Sequence, residues 1–415
     1  MALDEVVPRA SPGLVVVEVD DARVVYDPAR REAHLLNLTA GLILDACDGL
    51  TSSADLCSEL ADAFGADLEV VTAQVGATLD DFARRGLIGG DGRSWPEWRP
   101  GLDRRPGLDP PQEADGPRVV DWALDGVHLD LLGSGVHVRV EDAGQATVVR
   151  RVLAPLLAAG PLQAAAPGPR GAPEDGPVRH LDLALAGDGS TRLLVDGREV
   201  GRTTESWPAV QSLLWELNQC AAYEARGAVT LHAGAVRGPA GVAILPADSE
   251  SGKSTLTAGL VRAGLGYLTD EAVAVDLGTG RVRAYPRAIG LGRGSWGLFP
   301  EVAPAADDAA AGFFQDEWHV DPTALHAGAL DSGPDAPIVL VVFPTYDPRE
   351  PTRLESIGRP EALFSLLHNA FNLATEGEPA VAALEELTRR AELVRLVVSD
   401  LNEAVGLITR ALDLP

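Results

Sequence analysis

The sequence predicts an α/β core with an additional β-rich segment, preceded by a small α+β domain. Three observations carry that reading. After residue 118, short apolar runs bounded by turn residues alternate with stretches of helical periodicity. Around 242–262 an apolar run, a loop ending Gly252-Lys253-Ser254-Thr255 and a helical pattern follow one another. From Gly89 to Pro117, six prolines and six glycines with no apolar periodicity read as an extended linker. A length of 415 residues suits two or three domains at ~100–200 residues each. The expected boundaries are 1–92, a linker at 93–117, and 118–415, the last divided into an accessory part (118–225) and a core (226–415).

In the first domain, Leu14 to Val19 and Ala22 to Tyr26 form a hairpin about Asp20-Asp21, and Ala33 to Leu36 adds a third short strand. A helix from about Thr39 to Cys47 has Asn37 or Thr39 as its N-cap and stops at Asp48-Gly49. A second helix fits Ala54 to Phe64. The third, Asp67 to Leu87, places Leu68, Val71, Val75, Leu79 and Phe82 on one face. Beyond the linker, Trp122 to Val140 alternates like β-structure, and Gly160 to Pro177 reads as a second Pro/Gly loop. Leu181 to Val200 reads as a hairpin about Gly187-Asp188-Gly189, and Ser206 to Tyr223 as a helix.

Composition excludes several classes. Hydrophobic residues at 46% and charged residues at 23% are ordinary for a globular protein, so global disorder is not expected. The 61 acidic residues against 34 basic ones give a net charge of −27, which repels phosphate backbones and anionic lipid. Neither nucleic acid nor a membrane is an expected partner. The N-terminus lacks a signal-peptide pattern and no apolar run reaches spanning length, so a cytoplasmic protein is expected. Cys47, Cys57 and Cys220 are too few and scattered for a disulfide framework or zinc site.

Among the 34 basic residues one is lysine, Lys253. Arginine has replaced lysine everywhere else, and the one retained stands between Gly252 and Ser254-Thr255. Strand, loop and helix here are the context of a Walker A motif spanning Ala247, Asp248, Ser249, Glu250, Ser251, Gly252, Lys253, Ser254 and Thr255. Backbone N–H groups at the helix start would cradle phosphates, Lys253 would meet the β/γ-phosphates, and Ser254 would offer its hydroxyl to Mg²⁺. Two positions depart from the motif: Ala247 stands at its first glycine, and acidic Glu250 lies within the loop. ATP and Mg²⁺ are the expected ligands.

Asp270-Glu271 follows the run Gly266 to Thr269 and precedes Ala272 to Val275. Carboxylates at a strand end beside such a loop suit metal binding and proton acceptance from an attacking hydroxyl. Neighbours on a strand face opposite ways, so the two should differ in role. Glu271, with the longer arm, is expected as the base, with Asp270 at the metal or paired with His232, and Asp270 as the rival base. His232 lies in the apolar strand Val229 to Val236; on spacing alone a lone histidine in such a run is more often a core residue than a functional one.

Leu231-His232-Ala233-Gly234-Ala235-Val236, the 247–255 loop, Tyr267-Leu268-Thr269-Asp270-Glu271 and Tyr285-Pro286-Arg287 stand in an order that resembles HPr kinase/phosphorylase-like kinases. Val342-Phe343-Pro344 and Ser399-Asp400-Leu401 resemble that family's C-terminal half. The resemblance spans about 118–415 and implies a P-loop kinase core that phosphorylates a hydroxyl using ATP and Mg²⁺. It also implies that His232 orients the acidic pair, which holds the base.

Leu35-Leu36-Asn37-Leu38-Thr39-Ala40, then Asp48-Gly49, a short helix and a long one ending Arg85-Gly86-Leu87-Ile88, resembles PqqD-type peptide-recognition domains. That resemblance implies a winged-helix-like fold and capture of a precursor-peptide leader as an added strand. It places peptide contacts at His34, Leu35, Leu36, Val71, Val75 and Leu79. With 17 acidic and 7 basic residues, the first 95 residues carry a net −10, which opposes a DNA-binding version. Together the two resemblances imply a leader-guided kinase of a peptide Ser or Thr, with other maturation enzymes as further partners and self-association open. A small-molecule kinase and a non-catalytic delivery protein are the alternatives.

Overall fold

A computed structural model describes residues 6–89, 108–109, 120–158, 178–248, 251–304, 317–330 and 335–413. The Gly160–Pro177 loop, Ser249, Glu250 and the linker apart from Leu108 and Asp109 lie outside the described residues.

The chain begins with β1 (Val15–Val19), β2 (Ala22–Asp27), β3 (Glu32–Leu36), α1 (Leu38–Asp45), α2 (Ser53–Phe64) and α3 (Leu68–Arg85). Next come β4 (Leu124–Leu131), β5 (Ser134–Val140), α4 (Ala143–Ala158), β6 (Arg179–Leu185), β7 (Thr191–Val195), β8 (Arg198–Thr203) and α5 (Ser206–Tyr223). β9 (Ala228–Arg237), β10 (Val242–Pro246), α6 (Lys253–Arg262), β11 (Gly266–Thr269), β12 (Ala272–Asp276) and β13 (Val282–Arg283) follow. β14 (Ile289–Gly292), β15 (Glu317–Val320), α7 (Pro322–Leu325), β16 (Ile338–Tyr346) and β17 (Arg353–Ser356) lead to the last group. This comprises α8 (Arg359–His368), α9 (Leu373–Glu376), α10 (Glu378–Arg390), β18 (Glu392–Val398) and α11 (Leu401–Ala411).

The chain is mixed α/β and folds as two compact units. The first unit holds the described residues up to Gly89 together with Gly358–His368 and Leu373–Leu384. In it β1, β2 and β3 form an antiparallel sheet in that order. Local chemistry starts each helix: the side chains of Asn37, Ser52 and Asp67 accept N–H bonds from the first turns of α1, α2 and α3. Gly65 and Gly86, in the left-handed region, stop α2 and α3. Val25 and Leu36 pack with the three helices. α8 packs against β2 and β3. Its Leu363, Leu366 and Leu367 are buried, as are Val24 and Tyr26 on β2, and Arg359 pairs with Asp20 at 2.7 Å. The amphipathic pattern of 359–368 shows that one face must be covered but not which sheet covers it.

The second unit contains a five-stranded sheet, β4-β5-β6-β7-β8, and an eight-stranded one, β13-β12-β9-β10-β16-β18-β17 with β11 on β9. The alternation at Trp122–Val140 is the β4-β5 hairpin, and the turn at 187–189 joins β6 to β7; β8 is a further strand. Asp109 of the expected linker forms a bridge with Arg202 of β8. Helix α4 was not expected, although Val148, Val149, Val152, Leu153 and Leu156 stand at helical spacing and are all buried. α5 packs against both sheets, and one apolar core runs from β4 through α5 to α11. β10, β16 and β18 are parallel, whereas β9 is antiparallel to β10, β11 and β12. Gly234 on β9 has a structural reason: a Cβ there would lie 2.5 Å from the Thr257 hydroxyl of α6. Among the described residues no helix is long and apolar enough to cross a membrane.

His319, on β15 opposite Gly290, is 1% exposed and lies 5.8 Å from the Trp207 ring. Burial, with Arg287 and Arg151 adding to it, pushes its imidazole down from 6.5 to about 3. The unfolded chain therefore binds a proton there that the folded chain refuses. Stability should fall as pH drops below about 6.5, by up to ~1.4 kcal/mol per pH unit until about 3. Thermal melts at pH 7 and 5 should show His319→Gln with a shallower acid loss than wild type. An identical loss would rule this histidine out as its source.

Candidate functional site

β10 runs beside residues 233–237 of β9 and then leaves as the 247–255 loop. β11 pairs with the C-terminal part of β9 and β12 with its N-terminal part. Asp270 and Glu271 form the two-residue bend between them, beside Ala233. Both loops reach the same point. The Ala247 N–H donates to the His232 carbonyl at 3.2 Å, and the Ala233 N–H to the Glu271 carbonyl at 3.3 Å.

Gly252, at φ +85°, caps α6 in a conformation that glycine adopts freely, so the first N–H groups of a ten-residue helix face the loop. Lys253 is 6% exposed, with Nζ 3.4 Å from the Ala247 carbonyl. Burial lowers its pKa, while Glu271 and Asp270 hold the charge on it. The Ser251 hydroxyl is buried with no hydrogen-bond partner among the described residues, Ser254 is half-buried, and Thr255 is bonded to Ser295 at 2.6 Å.

The acidic residues have different surroundings. Asp270 is 1% exposed and accepts from the Tyr267 hydroxyl at 2.8 Å and the Gly290 N–H at 3.2 Å. Glu271 is half-buried and accepts from Arg287 Nη2 at 2.8 Å. Burial alone would raise the Glu271 carboxyl, but Arg287, His232 and Lys253 together hold it below its ordinary value. The His232 imidazole is depressed first by burial and then by Lys253, against the pull of Glu271, Asp248 and Asp270.

Arg287 is the residue that the sequence reading did not place in the site. It is 7% exposed, with Nε 3.9 Å from Asp270 Oδ1, and it ties both carboxylates together. The signal lay in Tyr285-Pro286-Arg287, whose Tyr285 N–H donates to Leu268 at 2.9 Å and docks the segment beside β11.

The residues fit a magnesium nucleotide. Among the described residues the Ser251 hydroxyl lacks a partner, the α6 N–H groups face the loop, and Lys253 supplies a compact cation. Mg²⁺ keeps several waters and leans on phosphate oxygens, so one hydroxyl and one carboxylate suffice from the protein. Among the described residues no group of three or more His, Cys, Asp or Glu could hold a metal alone. Asp270 has both oxygens engaged, though each retains a lone pair.

The expected peptide contacts need correction. Val71, Val75 and Leu79 are 7%, 1% and 5% exposed, and with Leu36 they belong to the core beneath the sheet. The stripe on α3 was read correctly as apolar, but the domain's own helices and sheet cover it. His34 is also buried, its Nε2 4.0 Å from Glu32, and burial lowers its pKa. Leu35, 39% exposed, is the expected contact that remains on the surface.

Residues 22–88 match the family described as coenzyme PQQ synthesis protein D (PqqD). This PqqD-like segment runs from the start of β2 to just beyond α3. No curated protein matches the chain.

Proposed function

We propose that the chain is a leader-guided, ATP-dependent kinase acting on a Ser or Thr hydroxyl of a ribosomally made precursor peptide. The observation that carries this is the meeting of Lys253, His232, Glu271 and Arg287 where the 247–255 loop and the Asp270-Glu271 bend join β9. The PqqD-like segment supports the peptide part. Among the described residues β3 pairs with β2 alone, and a leader would add as a strand along β3, where Leu35 is exposed.

Gly252, Lys253 and the α6 N–H groups would hold the phosphates, and Ser254 and Asp270 the Mg²⁺. Bound MgATP supplies the transferable phosphoryl group and screens its charge. Glu271, ionised and half-buried, accepts the acceptor's proton. Arg287 fixes that carboxylate, and burial and Lys253 disfavour a charged His232 beside it. Phosphoryl transfer depends mainly on positioning and charge stabilisation, so a carboxylate of lowered pKa is still an adequate base.

Intact-mass analysis of the precursor after incubation with the protein, Mg²⁺ and ATP should show the mass of one phosphoryl group added. Nucleotide binding with an unmodified peptide would favour the delivery protein. Peptide-independent phosphorylation of a sugar-type alcohol would favour the small-molecule kinase. Leu35→Glu should raise the KM for the full precursor about tenfold, equivalent to ~1.4 kcal/mol, without lowering kcat. An unchanged KM would remove the β3 edge from the recognition surface.

A further inference from the structure

β4, β5 and β6 lie side by side in the five-stranded sheet, and their register brings three histidines level: His128 opposite His137, and His137 opposite His180. Val136 and Val138, on either side of His137, are buried, so the histidines stand on the face turned away from the core. Histidine occurs eight times in 415 residues, so three abreast on neighbouring strands are more than composition supplies. The His128 and His137 rings are stacked, with centroids 4.3 Å apart and planes at 7°. His137 and His180 meet at their edges instead. Their Nδ1 atoms are 3.3 Å apart, their centroids 5.3 Å apart, and their planes at 84°.

Two Nδ1 atoms that face each other cannot both carry a proton. Either one ring donates to the other, or both lone pairs serve one cation. The spacing favours the second. Two imidazole nitrogens at ~2.0–2.1 Å from one tetrahedral ion stand about 3.3–3.4 Å apart, with ring centres about 5.3 Å apart. A straight N–H···N bond of the observed length would spread the centres to about 5.7 Å. The other nitrogen of His137 completes the pattern. Its Nε2 is buried, has no hydrogen-bond partner among the described residues, and lies 3.5 Å from Asp125 Oδ1 on β4. A metal-ligating histidine characteristically gives its second N–H to a carboxylate, which fixes the tautomer whose other nitrogen keeps its lone pair. The nearby positive charge is already answered: Arg139, two residues along β5, donates to Asp182 through Nε at 2.8 Å and Nη2 at 2.7 Å.

We propose that His137 and His180 form a two-imidazole site for Zn²⁺, with Asp125 as the positioning residue that orients His137. Imidazole suits transition-metal cations of this kind, whereas Mg²⁺ takes oxygen ligands, so the site and a magnesium nucleotide do not compete. Two protein ligands leave two positions of a tetrahedral ion to water, so the ion exchanges, unlike one in a closed four-ligand site. While bound, it ties β5 to β6 through their side chains, and an ion that binds the folded chain alone stabilises it. The site lies wholly within the second unit and does not depend on the nucleotide-site reading.

The test titrates the full chain with Zn²⁺ in excess Mg²⁺ and without nucleotide, read by calorimetry and by thermal melts. Wild type should take up Zn²⁺ and melt higher with it. His137→Gln and His180→Gln should each lose one equivalent of Zn²⁺ per chain, together with the rise in melting temperature. Asp125→Asn should keep that equivalent but bind it about 10–100-fold more weakly. Melts in Mg²⁺ alone check that each variant folds. His180 is exposed, so His180→Gln decides the matter if His137→Gln does not fold. No Zn²⁺ uptake by wild type overturns the site. Uptake that the histidine variants retain also overturns it, because the ion then sits elsewhere on this acidic chain. Loss in only one of two folded variants overturns the shared ion, and unchanged affinity in Asp125→Asn overturns the orienting role.

Discussion

Lys253→Ala is expected to abolish ATP turnover, with a loss on the order of 10³-fold, the scale of removing a preorganised charge-stabilising donor. Lys253 is the chain's one lysine, it is buried, and its ammonium lies within the loop that the α6 N-terminus closes. Lys253→Arg should fail nearly as badly. A planar guanidinium cannot replace a compact ammonium in a site that leaves the lysine 6% exposed. ADP release under single-turnover conditions reads both variants. Wild-type turnover by the arginine variant would remove the phosphate-binding role from this loop.

Asp270→Asn and Glu271→Gln should fail in different ways. Glu271→Gln removes the proton acceptor while an amide oxygen can still accept from Arg287, so kcat should fall by ~10²–10⁴-fold with nucleotide affinity retained. Asp270→Asn strikes the scaffold. An amide cannot accept on both sides, so either the Tyr267 hydroxyl or the Gly290 N–H loses its partner in a buried place. That should cost about 1–3 kcal/mol of stability, and the Mg²⁺ requirement should rise if Asp270 also reaches the metal. Melting curves beside kcat and Mg²⁺ titrations separate the two. If neither variant slows transfer about tenfold, which lies below the general-base range, the pair is structural.

Much of the architecture could be read from local chemistry. Asn37, Ser52 and Asp67 mark helix starts because a short polar side chain answers an orphan N–H wherever it stands. The strand–loop–helix at 242–262 was legible for the same reason: its geometry is written within about twenty consecutive residues. Arg287 reaches Glu271 from sixteen positions downstream, and the Asn369 carbonyl reaches the His232 N–H from more than a hundred. Pairings of that kind depend on which strands lie together, and periodicity carries no record of that. Val71, Val75 and Leu79 show the same limit, since a stripe states that a face is apolar and not what lies against it.

The lone lysine also makes the protein unusually simple to label. Every other cationic side chain of the arginine or lysine type is a guanidinium, which amine-selective acylating reagents ignore at neutral pH. The buried Lys253, its pKa lowered, presents a larger fraction of free amine than a solvated lysine would. A nucleotide-shaped acylating probe delivered to the loop would therefore mark a single side chain. With the α-amine, which such reagents also acylate, told apart by peptide mapping, the fraction of Lys253 modified would count occupied sites with no peptide acceptor in hand.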